Sequence, residues 1–83
     1  MLEITLYTKE NCSLCLKAKR ILQSFQRRHS FRLVEVDITQ DETLYERHKN
    51  DVPVATLDGE EIFRHRVETN ELERVLNERK NTI

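Results

Sequence analysis

LEITLYTKENCSLCLKAKRILQSF, Leu2 to Phe25, changes its hydrophobic period part-way along and holds both of the chain's cysteines at the point of change. Leu2, Ile4 and Leu6 alternate with Glu3, Thr5 and Tyr7, the period of a strand with one buried face, and the run stops at Lys9-Glu10-Asn11. From Ser13 the apolar positions become Leu14, Ala18, Ile21, Leu22 and Phe25. Spacings of three and four put all five on one face of a helix reaching to about Arg28. A first strand therefore runs directly into a first helix, with Cys12-Ser13-Leu14-Cys15 at the junction.

The rest of the chain supplies partners for that unit. Phe31 to Ile38 reads as a second strand, and its nearly continuous apolar run suits a central strand covered on both faces. Thr39-Gln40-Asp41-Glu42 has the capping-box pattern, in which the Thr39 hydroxyl and the Glu42 carboxylate satisfy amides at the start of a short helix ending near Lys49. Val54 to Leu57 and Glu60 to Phe63 flank Asp58-Gly59, a dipeptide suited to a tight antiparallel hairpin. Leu72, Val75 and Leu76 follow the candidate caps Thr69 and Asn70 in a third helix. The order is βαβαββα. A parallel crossover between the first two strands, extended by the hairpin, predicts an α/β fold with a four-stranded mixed sheet flanked by three helices. With 83 residues and no repeat, linker or low-complexity run, one domain over 1–83 is expected.

Fourteen basic and fifteen acidic residues leave a net charge of −1, so no global field draws the chain to nucleic acid or to a membrane surface. The basic runs Lys17 to Arg20 and Arg27 to His29 read as solvated helix faces. Met1-Leu2-Glu3-Ile4-Thr5 does not open a signal peptide and no stretch is long enough to span a bilayer, so a cytoplasmic location is expected. In that compartment two cysteines are more often catalytic or metal-binding than a structural staple.

The junction itself carries the chemistry. A helix start presents unpaired amides and the positive end of the macrodipole, both of which favour thiolate over thiol, and Lys9 adds a cation nearby. At about 100° per residue, Cys15 falls closer to the apolar face than Cys12. Cys12 is thus the exposed nucleophile and Cys15, one turn on, can resolve a mixed disulfide formed on it.

Tyr7-Thr8-Lys9, then Cys12 and Cys15, then Val52-Pro53 ahead of a strand resemble the glutaredoxin pattern of the thioredoxin-like superfamily, nearest to its small glutaredoxin-like proteins. The resemblance covers almost the whole chain. It implies a thioredoxin-like fold with the first and third helices on one face of the sheet and the second on the other. It implies thiol–disulfide oxidoreductase activity through a mixed disulfide, with protein or small-molecule disulfides and a thiol reductant as partners, in a monomer. It also implies a cis peptide bond before Pro53, beside the cysteines, with Val52 offering its backbone to a bound thiol substrate. Lys9, Val52 and Pro53 then touch the substrate, and Arg66 can pair with a carboxylate on it. Glutaredoxins carry a glycine pair after the fourth strand, and counting on from Asp58-Gly59 those places fall at Phe63-Arg64, followed by His65-Arg66-Val67. With side chains where a ligand's backbone would approach, glutathione is expected to be a poor or merely non-specific substrate.

Two other classes compete. The thiols can supply half of a four-ligand site for zinc or an iron–sulfur cluster. His29, His48 and His65 are scattered without ligand spacing, so no metal ligand set and no cofactor beyond the redox disulfide is expected, although a cluster shared between two subunits with glutathione as an outside ligand stays open. A binding module without turnover is the other reading, against which the retention of both thiols argues. Arg64-His65-Arg66 is either the solvated end of the fourth strand or a rim of the thiol site that favours an anionic partner.

Overall fold

The computed structural model describes residues 2–80; the ends of the expected 1–83 domain lie outside the described residues. The elements are β1 (Leu2–Thr8), α1 (Ser13–Phe25), β2 (Phe31–Asp37), a short 3-10 turn (Ile38–Gln40), α2 (Glu42–His48), β3 (Val54–Leu57), β4 (Glu60–Arg64) and α3 (Thr69–Lys80). The strands form one mixed sheet in the order β2-β1-β3-β4. β1 pairs in parallel with β2, from Leu2 opposite Phe31 to Thr8 opposite Asp37, and antiparallel with β3, from Ile4 opposite Leu57 to Tyr7 opposite Val54.

This order corrects the place of β2. It is an edge strand, and only Phe31 within it is buried. The crossover takes one edge of β1 and the hairpin takes the other, so β1, whose sequence alternates, sits inside the sheet instead. The apolar run of β2 lines half-buried positions at the sheet's margin.

Ile4 and Leu6 of β1, Ala55 and Leu57 of β3 and Phe63 of β4 pack in one cluster with Ala18, Leu22 and Phe25 of α1 and Leu72 and Leu76 of α3. α1 and α3 therefore cover the same face. Tyr7 points the other way from Leu6, and it packs with Ile38, Val52 and Leu44 of α2. The buried stripe of α1 is Cys15, Ala18, Leu22 and Phe25. Leu14, expected on that stripe, is 52 % exposed: Cys15 fills the inward position of the first turn, and a residue about 100° away falls on the flank.

Local chemistry sets the ends of the elements. Asp41, not Thr39, caps α2: its Oδ1 accepts the Leu44 amide at 3.1 Å, while Thr39 sits in the 3-10 turn and donates its hydroxyl to Asp37 Oδ1 at 2.6 Å. At the start of α3 the Leu72 amide bonds the Glu68 carbonyl, which moves the cap position one residue ahead of Thr69. Asp58 (φ 50°) and Gly59 (φ 90°) form the expected hairpin turn, and Asp58 ties it to β1 by accepting the Glu3 amide. The hairpin carries a bulge at Ile62, between the Thr56–Glu61 and Ala55–Phe63 pairs.

Candidate active site

Asn11 turns the chain from β1 into α1 with a φ of 57°, a left-handed conformation that asparagine tolerates better than most residues. Cys12 follows in an extended conformation and is the N-cap of α1. Its Sγ accepts the Cys15 amide at 3.1 Å and its carbonyl accepts the Leu16 amide at 3.2 Å. No acidic residue occupies the first turn, so nothing on the helix itself neutralises the positive end of its dipole. Cys12 and Cys15 are joined in a disulfide, with Cα atoms 5.2 Å apart. Cys12 is half-buried and Cys15 only 4 % exposed, the asymmetry expected from the helical wheel.

Thr8, Lys9, Cys12, Cys15 and Leu16 line an open groove of about 530 Å³, together with the ion-paired Lys19 and Glu35. Lys9 reaches across the loops and donates its ammonium to the Lys49 carbonyl at 3.1 Å, so the loop before the cysteines is fastened to the one before β3. Val52 is buried against Cys15, with Cys12 packed on the same cluster, and the Val52–Pro53 peptide bond is cis, as the resemblance implies. Lys9, Val52, Cys12 and Cys15 are thus gathered at one end of the sheet. Arg66 is not among them: it is 80 % exposed on its side chain, pairs with Glu68 at 3.8 Å and lines a separate groove with Leu14 and Lys17 on the opposite flank of α1.

Phe63 and Arg64 do not fill the approach to the thiols. The bulge turns Phe63 into the core opposite Ala55. Arg64 lies back along the strand in a two-bonded pair with Glu61, at 3.2 and 2.9 Å. That pair holds the Glu61 carboxyl below its usual range and raises the Arg64 guanidinium. The residue with glycine-like backbone is His65, at φ 73°. Its amide donates to the Pro53 carbonyl at 2.8 Å and to the Asp51 carbonyl at 3.2 Å, and its ring lies 3.9 Å from the Asp51 carboxylate.

His48, in the last turn of α2, stacks on Tyr7 with centroids 5.1 Å apart, and its Nδ1 is buried without a hydrogen-bond partner. His29 lies beyond the end of α1 and bonds Glu73 of α3 at 2.8 Å. Among the described residues no three His, Cys, Asp or Glu side chains are grouped to hold a metal ion, and no helix is long and apolar enough to cross a membrane.

The sequence pattern of the glutaredoxin-like domain (DUF836) matches residues 3–77. The chain belongs to the glutaredoxin-like family. This glutaredoxin-like chain is 31 % identical over 77 residues to the glutaredoxin-like protein YDR286C homolog of Dictyostelium discoideum, an alignment covering 86 % of this chain and 71 % of that one. Its fold is similar to protein Ne2328 of Nitrosomonas europaea, with a TM-score of 0.78 at 22 % identity over 90 % and 91 % of the two chains. It is similar to protein XcR50 of X. campestris, with a TM-score of 0.71 at 28 % identity over 90 % and 96 %. A mutant thioredoxin from Halobacterium salinarum matches with a TM-score of 0.74 at 13 % identity over 99 % and 77 %, which places the glutaredoxin-like chain within the thioredoxin fold.

Sequence reasoning did not reach Asn11, Leu16 or the conformation of His65. An asparagine one residue ahead of a helix cap was a usable turn signal for the first. The other two depend on what lies beside them in space.

Proposed function

We propose that the protein is a dithiol–disulfide oxidoreductase in which Cys12 attacks and Cys15 resolves. The single observation that carries this reading is the asymmetry of the pair: a half-exposed sulfur capping α1 and accepting its first-turn amide, bonded to a buried sulfur one turn on. In the reduced protein the amide and the unneutralised dipole favour Cys12 as thiolate. That thiolate attacks one sulfur of a target disulfide; a Cys12–target bond forms and the first target thiolate leaves. Cys15 then loses its proton and attacks Cys12 Sγ, closing the Cys12–Cys15 bond and releasing the second target thiolate. Two electrons pass from the dithiol to the target, and an external thiol reductant restores the pair.

Lys9, Val52 and Pro53 are proposed to contact the target. Lys9 lines the same groove as Cys12, and Val52 packs with both cysteines ahead of its cis proline, its amide held by the His48 carbonyl at 3.1 Å. Arg66 is proposed to meet only a longer ligand, one that crosses α1. Glutathione is proposed to be a poor substrate, now because His65, not Phe63 or Arg64, is the residue with a side chain at the left-handed turn whose amide bonds the Pro53 carbonyl.

The reading is tested by labelling the reduced protein with iodoacetamide at neutral pH and mapping the peptides, and by assaying 2-hydroxyethyl disulfide reduction. Cys12 should alkylate faster, Cys12→Ser should lose turnover, and Cys15→Ser should accumulate a covalent adduct on Cys12 visible by mass. Equal or reversed labelling rates would refute the assignment of roles. Parallel assays with glutathione plus its reductase and with thioredoxin reductase decide the electron donor; turnover with glutathione at least as fast as with thioredoxin reductase would overturn the proposal on glutathione.

A further inference from the structure

Among the described residues the exposed large hydrophobic side chains are Leu14, at 52 %, Leu16, at 50 %, and Tyr45, at 39 %. Both leucines stand immediately beside Cys15 in sequence. Two positions apart on a helix, they differ by about 200° around the axis and so emerge on opposite flanks of the first turn. Leu16 shares the groove that holds Cys12; Leu14 lines the second groove, of about 360 Å³, between α1 and the segment leading into α3. By contrast Leu6, Leu22, Leu57 and Leu72 are all 0 % exposed. Two wet leucines flanking a redox disulfide therefore form a surface with an unmet apolar demand at the one place where another thiol must arrive.

Charge says what should cover it. Lys19 is paired with Glu35, and Arg66 with Glu68 at 3.8 Å. Lys9 and Lys17, one in each groove, have no carboxylate partner among the described residues; Lys9 donates only to a carbonyl. On a chain whose net charge is −1, the end that carries the thiols thus keeps two unanswered ammonium groups beside two exposed leucines.

We propose that the protein substrate of this site is a disulfide within an acidic, aliphatic stretch of polypeptide that lies across the first turn of α1, with one apolar side chain in each groove and its carboxylates toward Lys9 and Lys17. The proposal rests on the dithiol reading above. In an extended peptide the side chains two residues to either side of a cysteine share its face, so aliphatic residues at those positions meet Leu14 and Leu16 while the cysteine meets Cys12.

The test uses three peptides, each carrying its cysteine as a mixed disulfide with 5-thio-2-nitrobenzoate: Glu-Ser-Leu-Ser-Cys-Ser-Leu-Ser-Glu, whose leucines and glutamates share the cysteine's face, the same with lysine for glutamate, and the same with serine for leucine. Cys12 thiolate displaces the coloured thiolate and forms a Cys12–peptide disulfide, which Cys15 opens to release the peptide thiol. Rates are divided by those of 2-mercaptoethanol with the same peptides, which removes differences in intrinsic reactivity. The glutamate–leucine peptide should react roughly tenfold faster than either comparison, the scale set by partial burial of leucine and by exposed charge pairs. Added salt should erase the advantage over the lysine peptide only. Leu14→Ser should weaken the preference for leucine and Leu14→Ser with Leu16→Ser should abolish it, and Lys17→Gln should weaken that for glutamate, with the Leu14→Ser and Lys17→Gln variants keeping the wild-type rate toward the uncharged 4,4′-dithiodipyridine. Equal normalised rates for the three peptides would overturn the proposal, as would a leucine-dependent preference surviving undiminished in Leu14→Ser or surviving at all in the double leucine variant. So would concentration-dependent dimerisation in sedimentation that Leu14→Ser dissolves, since a second copy would then be the occupant. Absence of reaction with 5,5′-dithiobis(2-nitrobenzoate) itself overturns the dithiol reading, a failure separate from any loss of peptide preference.

Discussion

His65 holds a left-handed φ of 73° at the turn out of β4, with its amide shared between the Pro53 and Asp51 carbonyls. For a residue with a Cβ that conformation costs about 1–2 kcal/mol, whereas glycine adopts it freely and gives back about 0.5–1 kcal/mol in unfolded-state entropy. The exposed contact to Asp51 at 3.9 Å is worth little. His65→Gly is therefore expected to stabilise the protein by up to about 1 kcal/mol in urea titration and to lower the KM for glutathione. A destabilised variant with unchanged KM would show that the side chain supports the turn and does not guard the site. The pairing and unequal exposure of Cys12 and Cys15 were legible from sequence because they follow from position on a helix start. His65 was not, because the bulge at Ile62 shifts which residue comes to the turn. The same bulge sends Phe63 inward, away from the ligand space that counting along the strand assigns to it.

At the scale of elements, α2 shows how two nearby polar residues divide the work of starting a helix. None of its side chains is buried, so the cap contributes a large share of what holds its first turn. Asp41→Ala is expected to cost about 1 kcal/mol, and Thr39→Ala less than about 0.5 kcal/mol, by denaturant unfolding. The reverse order would restore the capping-box reading of Thr39. The Cys12–Cys15 bridge spans a sequence separation of three, a very short loop. In the chain-entropy account it stabilises the fold by no more than about 2 kcal/mol, against about 4.7 for a loop of 100 residues. Oxidised and reduced protein should thus differ by at most that amount in unfolding free energy, and a larger gap would mark the bridge as a structural staple. Element types and order were legible because each period is long and each break is marked, by the polar run Lys9-Glu10-Asn11, by Asp58-Gly59 and by the run at Thr39. The edge position of β2 was not, since an apolar run reports covered faces and says nothing of which strand lies on either side.

Among the described residues the surface is laced with paired charges, and three carboxylates are held below their usual range: Asp37 by the Thr39 hydroxyl, Glu61 by Arg64 and Glu71 by Arg74. A depressed carboxylate adds stability that is fully present above its unfolded pKa, about 4, and is lost as pH falls through the folded value. The melting temperature should therefore hold near neutrality and fall below roughly pH 4, and a Glu61→Gln, Glu71→Gln double variant should lose part of that acid slope. A variant whose acid slope matches the parent's would show that these exposed pairs are silent. By itself the sequence determined the strand-to-helix junction, the two thiols on it and their unequal exposure, because hydrophobic period and helix geometry act within a few residues. Only the tertiary structure decided that β1 is an inner strand and β2 an edge, that Lys9 and Val52 meet at the thiols while Arg66 stands on the other flank of α1, and that Leu14 and Leu16 stay exposed. Those outcomes depend on sheet order, on one bulge and on which side of a helix a neighbouring segment covers, contacts between residues far apart along the chain.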